Sequence, residues 1–455
     1  MDPAAPGPLD PSVLTMQASH RSSVLWDVQV SDTETIYTRH PDSAPWAIDA
    51  RIVPYLQLAR LHDFHLIAYG RVDRALLTAL VERWRQETHT FHLPIGEATV
   101  TLLDVAVLTR LPIEGHAVCI DVRQFESWQD KVHRVLGVRP PAEVTKGSSL
   151  RVTWLAQNFS QLPEGADDAT VERYARAYLL YLIGAVLFSD KTGNRVQLLY
   201  LTLLDAPWEV ISGYSWGSAA LAYLYRRLCE ASQKNVKEIA GPLIILQLWA
   251  WEHVLIGQPM RSVGRGAFAP PLLPPPHVPY GSRWSFERRS RTHTGSGVGF
   301  YRDQLDLLRA DQFLWDPYPA EAYAALPQHS GILSGAWRAS VPLICFDMVE
   351  VHLPERVLRQ FGMVQGIPPP CDTEAELHHS RKGRDPKNWI EVNWRHVARW
   401  EHRLDLLAQG VFVGTGVSWL KVFFDGVRML NEKGVGVAPC IGKALPEAGL
   451  SWCYE

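Results

Sequence analysis

A long apolar run inside a helical pattern is the feature that most constrains how this chain can fold. Residues 171–188 keep apolar side chains at helical spacing, and residues 177–188 are the most apolar stretch of the sequence. That stretch is too short to span a bilayer, which takes about 20 apolar residues. The turn-forming residues 189–194 (Ser-Asp-Lys-Thr-Gly-Asn) end the pattern. The run therefore predicts a helix buried inside a globular domain.

Helical spacing recurs along most of the chain, whereas strand-like segments are few and short. Thr101 and Asp104 form a capping-box-like helix start, residues 90–100 suggest a hairpin, and residues 341–349 fit either a strand or a helix. These patterns predict a mainly α protein, a single large multi-helix domain with a few short β-hairpins. The other predicted helices span residues 48–67, 73–85, 101–111, 218–232, 239–254, 304–314, 354–361 and 389–407.

Composition along the chain predicts the domain boundaries. Residues 1–22 are polar and Pro-rich, which predicts a disordered N-terminal tail, and they lack the pattern of a signal peptide. The predicted domain covers residues 23–430. It contains a Pro-, Gly- and Arg-rich loop at about residues 257–300, which we expect to be mobile. Residues 431–455 are expected to form a loosely ordered C-terminal tail.

Charge and cysteine usage indicate the setting in which the chain works. The 45 Lys and Arg nearly balance the 48 Asp and Glu, so there is no general attraction to nucleic acid or to a membrane. No two cysteines form a C-x-x-C pair, and a large apolar core needs no disulfides. We therefore expect reduced thiols and a cytosolic or nuclear protein. The six cysteines are Cys119, Cys229, Cys345, Cys371, Cys440 and Cys453.

A possible serine nucleophile lies in residues 213–217, which read Gly-Tyr-Ser-Trp-Gly and match G-x-S-x-G. Such an elbow exposes the serine hydroxyl on a strand-to-helix turn beside an oxyanion hole. Apolar residues precede Ser215 and a helical pattern follows it, but the sequence has no HGGG-type motif and no hydrolase-like alternation of strands and helices. The alternative interpretation, which we favour, is a helix start capped by Ser215 or Ser218, with glycines allowing a tight turn.

Lys191 is the second residue that suggests catalysis. It lies in the turn-forming residues 190–194 (Asp-Lys-Thr-Gly-Asn), which could hold a phosphate or a Schiff-base lysine. A P-loop needs G-x-x-x-x-G-K-[ST], which is missing. A pyridoxal phosphate site needs an acidic partner and a phosphate cup as well as the lysine, and only the lysine is identifiable. A turn that ends a helix is the favoured interpretation.

Histidine pairs raise the possibility of a metal site. His62 and His65 are three residues apart, as are His89 and His92, while residues 378–379 are two adjacent histidines. Zinc needs three or four converging ligands, and no cysteine or carboxylate cluster joins these pairs at a recognised spacing. Histidine is also common as a hydrogen-bonded, partly buried residue. The sequence therefore predicts no metal site, no catalytic residue and no cofactor.

Short basic clusters and tryptophans are the remaining candidates for binding. Residues 288–291 (Arg-Arg-Ser-Arg) and 381–384 (Arg-Lys-Gly-Arg) are either weak nuclear-import or nucleic-acid contacts or solvated loops, and residues 295–299 (Gly-Ser-Gly-Val-Gly) fit a flexible loop. Tryptophans in predicted helices are core or interface material, and those exposed on a groove would favour protein partners. They include Trp249, Trp251, Trp394 and Trp400.

Several long blocks, all in one order, resemble the plant mobile domain, a family also described as aminotransferase-like. Residues 80–85 (Leu-Val-Glu-Arg-Trp-Arg), 87–94 (Glu-Thr-His-Thr-Phe-His-Leu-Pro), 187–195 (Leu-Phe-Ser-Asp-Lys-Thr-Gly-Asn-Arg) and 214–219 (Tyr-Ser-Trp-Gly-Ser-Ala) carry the resemblance. It covers about residues 26–407. The Gly-Tyr-Ser-Trp-Gly motif lies inside one of these blocks, which lowers its weight as a hydrolase signal.

The resemblance implies a land-plant nuclear protein linked to silencing of transposons and some genes and to meristem maintenance. It implies nuclear protein partners, among them a phosphatase-like protein, with any chromatin or nucleic-acid contact indirect and no membrane contact. Some family members carry a phosphatase name, but this chain has no G-D-x-H-G motif, so phosphatase activity is not implied. The domain also occurs in transposable elements, which leaves open whether this copy is a host gene or is transposon-derived.

Three hypotheses follow from the sequence. The first is a non-enzymatic nuclear interaction protein that acts through its surfaces. The second is an enzyme, either a hydrolase at Ser215 or a pyridoxal phosphate enzyme at Lys191. The third is a nucleic-acid-binding protein that uses the arginines of residues 283–302 and 381–387.

Overall fold

The computed structural model describes residues 12–27, 35–123, 126–264, 267–284, 297–370, 373 and 387–413. Helices and short connections predominate within these residues, and their strands form small sheets of two or three. The predicted mainly α domain with short hairpins is confirmed. No helix in the described part of the chain combines the length and apolar character needed to cross a membrane.

The α-helices follow one another along the whole described chain. In order they are α1 (Ser22–Asp27), α2 (Val53–Leu58), α3 (His62–Ile67), α4 (Arg74–Val81), α5 (Leu102–Thr109), α6 (Trp128–Leu136), α7 (Val152–Phe159), α8 (Asp168–Tyr181), α9 (Leu201–Leu204), α10 (Trp208–Ser212), α11 (Trp216–Ala231), α12 (Leu243–His253), α13 (Val298–Asp306), α14 (Ala320–Ala324), α15 (Trp389–Val392) and α16 (Trp394–Glu401).

The strands are two to five residues long and lie between the helices. They are β1 (Tyr37–Thr38), β2 (Trp84–Arg85), β3 (Thr90–Leu93), β4 (Gly96–Ala98), β5 (Thr145–Lys146), β6 (Ser149–Arg151), β7 (Arg195–Gln197), β8 (Glu238–Ile239), β9 (Arg261–Gly264), β10 (Ala267–Ala269), β11 (Val341–Cys345) and β12 (Met348–His352).

The centre of the domain is formed by α5, α11 and α12. Every residue of α5 and α12 is buried, as are nearly all residues of α11. A helix that is apolar on all sides is stable only when neighbours surround it. Here α5 packs against both other helices, and α11 also packs against the β11–β12 hairpin. This hairpin is therefore part of the wall of the core.

The predicted capping box at the start of α5 is confirmed. The Thr101 hydroxyl accepts a hydrogen bond from the Asp104 N–H at 3.2 Å, and Asp104 Oδ2 accepts one from the Thr101 N–H at 2.7 Å. These bonds satisfy N–H groups that the first turn of a helix leaves without a partner. The helix ends at Thr109, and the next residue, Arg110, has a left-handed backbone (φ 58°) shortly before Pro112.

Both hairpin regions anticipated from the sequence are present. β3 pairs antiparallel with β4, and β2 adds a third strand. Residues 341–349, which fit a strand or a helix, form β11 and the start of β12, with Val341 opposite His352. Side chains alternate along β12, so that Glu350 and His352 are fully buried at 0% exposure, while Val351 lies on the opposite face.

The apolar run that predicted a buried helix forms α8 and a following π-helix, Leu182–Leu187. The run is buried as predicted. The helix type changes around Gly184, where an added Cβ would lie only 2.9 Å from the Cβ of Val196 on β7. The close approach of this helix to a strand therefore requires glycine, a constraint that apolar periodicity does not reveal.

Several predicted helices are shorter or divided. Residues 48–67 form a 3-10 turn (Ala50–Ile52), α2 and α3, with the chain redirected at Arg60, where φ is 58°. Residues 389–407 form α15, α16 and the 3-10 turn Arg403–Asp405, and residues 354–361 form only 3-10 turns. No element was predicted between residues 113 and 170, where the structure has α6, α7, β5 and β6.

The predicted boundaries fall partly outside the described residues. Residues 1–11 of the predicted tail and all of residues 431–455 lie outside them. Residues 12–22, in contrast, contact the domain, since the His20 ring is buried with Nε2 at 2.8 Å from the Trp84 carbonyl oxygen. The predicted loop at about residues 257–300 contains the β9–β10 hairpin, a buried 3-10 turn (Tyr280–Trp284) and the start of α13, with residues 265–266 and 285–296 not described.

Candidate functional site

Ser215, the candidate nucleophile, is fully buried at the start of α11. Its hydroxyl donates to the Pro112 carbonyl oxygen at 3.3 Å. The nearby His116 side chain is 75% exposed and lies 3.8 Å from Glu401, so it faces solvent. A nucleophile elbow has to present its hydroxyl to a substrate. The geometry therefore supports a helix start.

The predicted side-chain cap at this helix start is wrong. Ser215 precedes α11, but its side chain makes no capping hydrogen bond because the hydroxyl is directed to Pro112. The Ser218 hydroxyl lies inside the helix and donates to the Ser215 carbonyl oxygen at 3.0 Å, and α11 has no side-chain cap. The turn itself is held by backbone bonds, such as the one from the Gly217 N–H to the Pro112 carbonyl oxygen at 2.8 Å.

Lys191 lies half-buried in the turn that follows the π-helix. Its neighbour Asp190 closes this turn, accepting hydrogen bonds from the Thr192 N–H at 2.8 Å and from the Gln197 side chain at 2.7 Å. The arrangement is that of a turn ending a helix, as predicted. It differs from a pyridoxal phosphate site, in which the lysine is buried against the cofactor.

Two of the singled-out histidines, His65 and His92, are structural. His65 Nδ1 lies 2.8 Å from the Tyr178 hydroxyl, and burial lowers the pKa of His65 to about 4. The ring of its neighbour His62 is 6.4 Å away, centre to centre. His92 Nε2 lies 3.1 Å from the Thr88 hydroxyl, and burial lowers the pKa of His92 to about 4. These contacts match the hydrogen-bonded, partly buried histidines of the alternative interpretation.

Asp104 holds one buried polar centre of the described core. Its Oδ1 lies 2.9 Å from His253 Nε2 and accepts from the Tyr318 hydroxyl at 2.7 Å, while Oδ2 accepts from the Thr101 N–H and hydroxyl. Burial by itself raises the pKa of Asp104, but His253 and these hydrogen bonds outweigh it and lower the pKa. His253 Nδ1 lies 2.7 Å from the Leu314 carbonyl oxygen. Both ring nitrogens of His253 therefore face oxygen atoms.

Glu350 holds the second centre, which joins His89 and Cys229. The ligand atoms of these three side chains all lie within 4.8 Å of one another, and all three residues are fully buried. His89 Nε2 is 3.0 Å from Glu350 Oε2, and Arg226 Nε donates to Glu350 Oε1. Burial raises the pKa of Cys229 well above its usual value, and the Trp84 indole N–H donates to its Sγ at 3.3 Å.

His89 reaches this centre from an unusual backbone conformation. Its φ is 51°, in the left-handed region that residues with a side chain seldom adopt. The conformation is fixed by the Thr99 hydroxyl, which donates to the His89 carbonyl oxygen at 2.8 Å, and by the Trp84 ring, which stacks on the imidazole. His89 Nδ1 lies 2.9 Å from the Val351 carbonyl oxygen. Backbone strain of this kind clusters at functional positions.

Sequence reasoning did not find the Glu350 centre. The sequence pairs His89 only with His92, which is three residues away but faces Thr88 and Glu97. The cysteine and the carboxylate come from α11 and β12, far along the chain. The positive φ of His89 is also invisible in the sequence. No spacing rule could have assembled the set.

A surface cavity of about 380 Å³ lies on the outer side of the β11–β12 hairpin. Pro342 and Val351 of the hairpin line one part of it, and Arg356, His396 and Arg399 line another. The Arg356 guanidinium is bound to Glu97 at 2.7 and 2.6 Å, whereas Arg399 is exposed. The hairpin thus separates this cavity from the buried Glu350 centre.

Beside the cavity, α15 and α16 expose several apolar and basic side chains. Ile390, Val392 and Trp394 are 45%, 50% and 60% exposed. Arg395 and Arg399 are exposed as well, and the Arg395 guanidinium lies 5.3 Å from the Trp394 ring centre. These five residues are called the α16 surface below.

The other tryptophans singled out from the sequence belong to the core. Trp249 is 0% exposed, Trp251 is 9% exposed and Trp400 is 1% exposed. Trp400 lies on the same helix as Trp394, and its indole N–H donates to the Gly115 carbonyl oxygen at 2.9 Å. Only the structure distinguishes the exposed tryptophan of α16 from the buried one.

The basic loops contribute little to the described surface. Residues 285–296 and 374–386, which hold both basic clusters and His378 and His379, lie outside the described residues. Two arginines of residues 283–302 are described, and each lies beside a glutamate. Arg302 binds Glu82 at 2.8 and 2.7 Å, and Arg283 Nε lies 3.5 Å from Glu252, whose pKa burial raises to about 7.

The described part of the chain is therefore a mainly α domain with two polar centres inside its core and an exposed apolar, basic surface at α16. The sequence matches the plant mobile domain over residues 62–416. This chain belongs to that family. No solved structure matches it.

Several similar proteins come from Arabidopsis thaliana. The chain is 40% identical to "Serine/threonine-protein phosphatase 7 long form homolog" over 89% of this chain and 30% of that protein. It is 34% identical to "Protein MAIN-LIKE 2" over 91% of this chain and 61% of that protein. With "Protein MAINTENANCE OF MERISTEMS" the identity is 30%, over 84% of this chain and 77% of that protein. The chain thus spans less than two thirds of the first two relatives.

Proposed function

We propose that this chain is a non-enzymatic nuclear protein that acts as an interaction component in transposon and gene silencing and in meristem maintenance. The observation that carries the proposal is the similarity to "Protein MAINTENANCE OF MERISTEMS" over 84% of this chain, since that name states the process. The nuclear location and the silencing role rest on the family resemblance. The buried Ser215 and the Lys191 turn support action through surfaces.

The α16 surface is the part of the described chain best suited to bind a protein. Tryptophan and arginine are the residues that most often dominate binding energy at interfaces, and Trp394 is 60% exposed beside two exposed arginines. Neighbouring Ile390 and Val392 extend the apolar area. Arg395 and Arg399 favour a partner segment that is acidic as well as apolar. A phosphatase-like nuclear protein is the partner that the family resemblance suggests.

Affinity purification from plant nuclei tests this proposal. A tagged full chain is expected in the nucleus, together with chromatin or phosphatase-like proteins identified by mass spectrometry. The amount of the main partner recovered with the double variant Trp394→Ala, Arg399→Glu should be at least about tenfold lower than with the unchanged chain. The variant removes an apolar anchor and reverses a charge. A matched control is Leu307→Ala, Arg309→Glu, which changes an exposed leucine (73%) and an exposed arginine side chain (68%) elsewhere.

The outcomes separate the three hypotheses. A tagged chain that is wholly cytoplasmic and recovers neither chromatin nor a phosphatase-like partner contradicts the proposal. Hydrolysis of an ester or peptide that disappears in Ser215→Ala would favour an enzyme. DNA or RNA binding that weakens steeply with salt and is lost when the arginines of residues 381–384 are changed would favour a nucleic-acid-binding protein.

A further inference from the structure

We propose that His89, Cys229 and Glu350 form a zinc site in the core of the domain. The three side chains offer an imidazole, a thiol and a carboxylate, and their ligand atoms converge within 4.8 Å. These are the ligand types that zinc binds, at bond lengths of about 2.0–2.3 Å. A tetrahedral zinc ion separates such ligand atoms by roughly 3.3–3.6 Å, so side-chain movements of about an ångström bring all three to one centre.

The groups around the three side chains are those that support metal ligands. His89 Nδ1 faces the Val351 carbonyl oxygen at 2.9 Å, which places its proton there and directs Nε2 toward the cluster. Arg226 donates to Glu350 Oε1, on the side away from His89, and the Trp84 indole N–H donates to the Cys229 sulfur. Such contacts orient the ligands and are part of most metal sites.

Zinc binding at this site is balanced in charge. The Cys229 thiol proton leaves for solvent, His89 binds through Nε2, and Glu350 binds as the carboxylate that Arg226 already accompanies. The Cys229 thiolate and the Glu350 carboxylate together balance the charge of one divalent cation. A thiol bound to zinc is deprotonated by the metal itself, which overcomes the effect of burial.

The proposed role of the metal is structural. The three ligands are fully buried, so no substrate has access to the fourth position, which a water molecule would fill. The ligands belong to the turn before β3, to α11 and to β12. A metal bound by all three holds these distant segments together, and its binding energy contributes to folding.

Zinc content of the intact protein is the first test. The full chain, expressed in zinc-supplemented medium, is expected to carry about one zinc ion per chain. Inductively coupled plasma mass spectrometry measures this content. Cys229→Ser should lower this zinc content at least about tenfold. Even replacing a residue that only supports a ligand typically weakens metal binding by roughly 10- to 100-fold. Cys345→Ser is the matched control, because Cys345 is also a free, buried cysteine of the same core but lies outside the cluster.

Cobalt substitution separates metal loss from misfolding. Wild type and Glu350→Gln, which keeps the size of the side chain, are unfolded and refolded with Co²⁺ and checked by near-ultraviolet circular dichroism. Folded wild type should show thiolate-to-cobalt absorption, Glu350→Gln should show much less, and Cys345→Ser should match wild type. The proposal is overturned if folded wild type contains no zinc and shows no such absorption with cobalt. The three side chains would then be only a buried polar network. Equal zinc in Cys229→Ser overturns it too, since the metal would then bind elsewhere.

Discussion

The two buried centres use the same pair of groups, a carboxylate and a histidine, with different surroundings. Asp104 accepts hydrogen bonds from Thr101, His253 and Tyr318, and its partners complete a closed network. Glu350 shares its carboxylate between Arg226 and His89, with the Cys229 sulfur close by. Cys229, His89 and Glu350 together offer the ligand types that bind a cation such as zinc. The Asp104 carboxylate, in contrast, already accepts hydrogen bonds on both oxygens.

The largest expected effect comes from neutralising the Asp104 centre. In Asp104→Asn, the buried pair of Asp104 and His253 loses its carboxylate. Breaking a buried charge pair in this way costs about 3–5 kcal/mol of unfolding free energy. The measurement is guanidinium chloride unfolding at neutral pH. Asp311→Asn, at an exposed aspartate (72%), should change stability by less than about 0.5 kcal/mol; similar losses in the two variants would refute the ion pair.

Zinc should stabilise the protein through the Glu350 centre alone. At a free zinc concentration 100 times the dissociation constant, the added stability is about 2.7 kcal/mol over protein refolded with a chelator. Asp104→Asn should keep this difference, and Glu350→Gln should lose it. Unfolding curves with and without zinc measure it. If both variants lost the difference equally, the two centres would not be distinct.

His352 lies on β12, two residues after Glu350, and contacts α5 through Leu102. Its Nδ1–H donates to the Ala339 carbonyl oxygen and its Nε2 accepts from the Leu102 N–H, so the ring is neutral. Burial lowers the pKa of His352 to about 4. An unfolded histidine binds its proton near pH 6.5, so the stability contributed by neutral His352 is present above pH 6.5. It is lost as the pH falls toward 4, by at most about 1.4 kcal/mol per pH unit.

The free energy of unfolding should fall between pH 6.5 and pH 4.5 by about 2 kcal/mol less in His352→Gln than in wild type. Chemical unfolding at the two pH values measures this difference. The control is His402→Gln, whose side chain is 76% exposed, and it should decline with pH like wild type. A decline in His352→Gln as large as in wild type would show that this histidine does not set the acid sensitivity.

The smallest effect is expected on the α16 surface, outside both centres. Trp394→Ala should cost less than about 0.5 kcal/mol, because the side chain is 60% exposed and leaves no cavity. Trp400→Ala, on the same helix but 1% exposed, is the contrasting variant and should cost several kcal/mol. Thermal unfolding distinguishes them. A large loss for Trp394→Ala would mean that the surface serves folding more than binding.

Local signals in the sequence led to much of the fold. The Thr101 capping box, the hairpin of β3 and β4 and the buried α8 all depend on residues close together in the chain, and all three are confirmed. Predictions that needed packing information were less accurate. The break at Arg60 between α2 and α3 and the π-helix at Gly184 arise where the chain meets other elements. The predicted side-chain cap at Ser215 was wrong, because contact with Pro112, 103 residues earlier in the chain, directs the hydroxyl away from the helix N–H groups.

The sequence by itself determined a mainly α domain and the family to which it belongs, because helical period and ordered blocks of residues are properties of neighbouring positions. Tertiary structure decided which tryptophan of α16 is exposed and which histidine meets a cysteine and a glutamate. His89 and His92 have the same local signal, yet only His89 reaches Cys229 and Glu350. That difference follows from a positive φ and from the packing of α11 against β12, and both depend on contacts between distant segments.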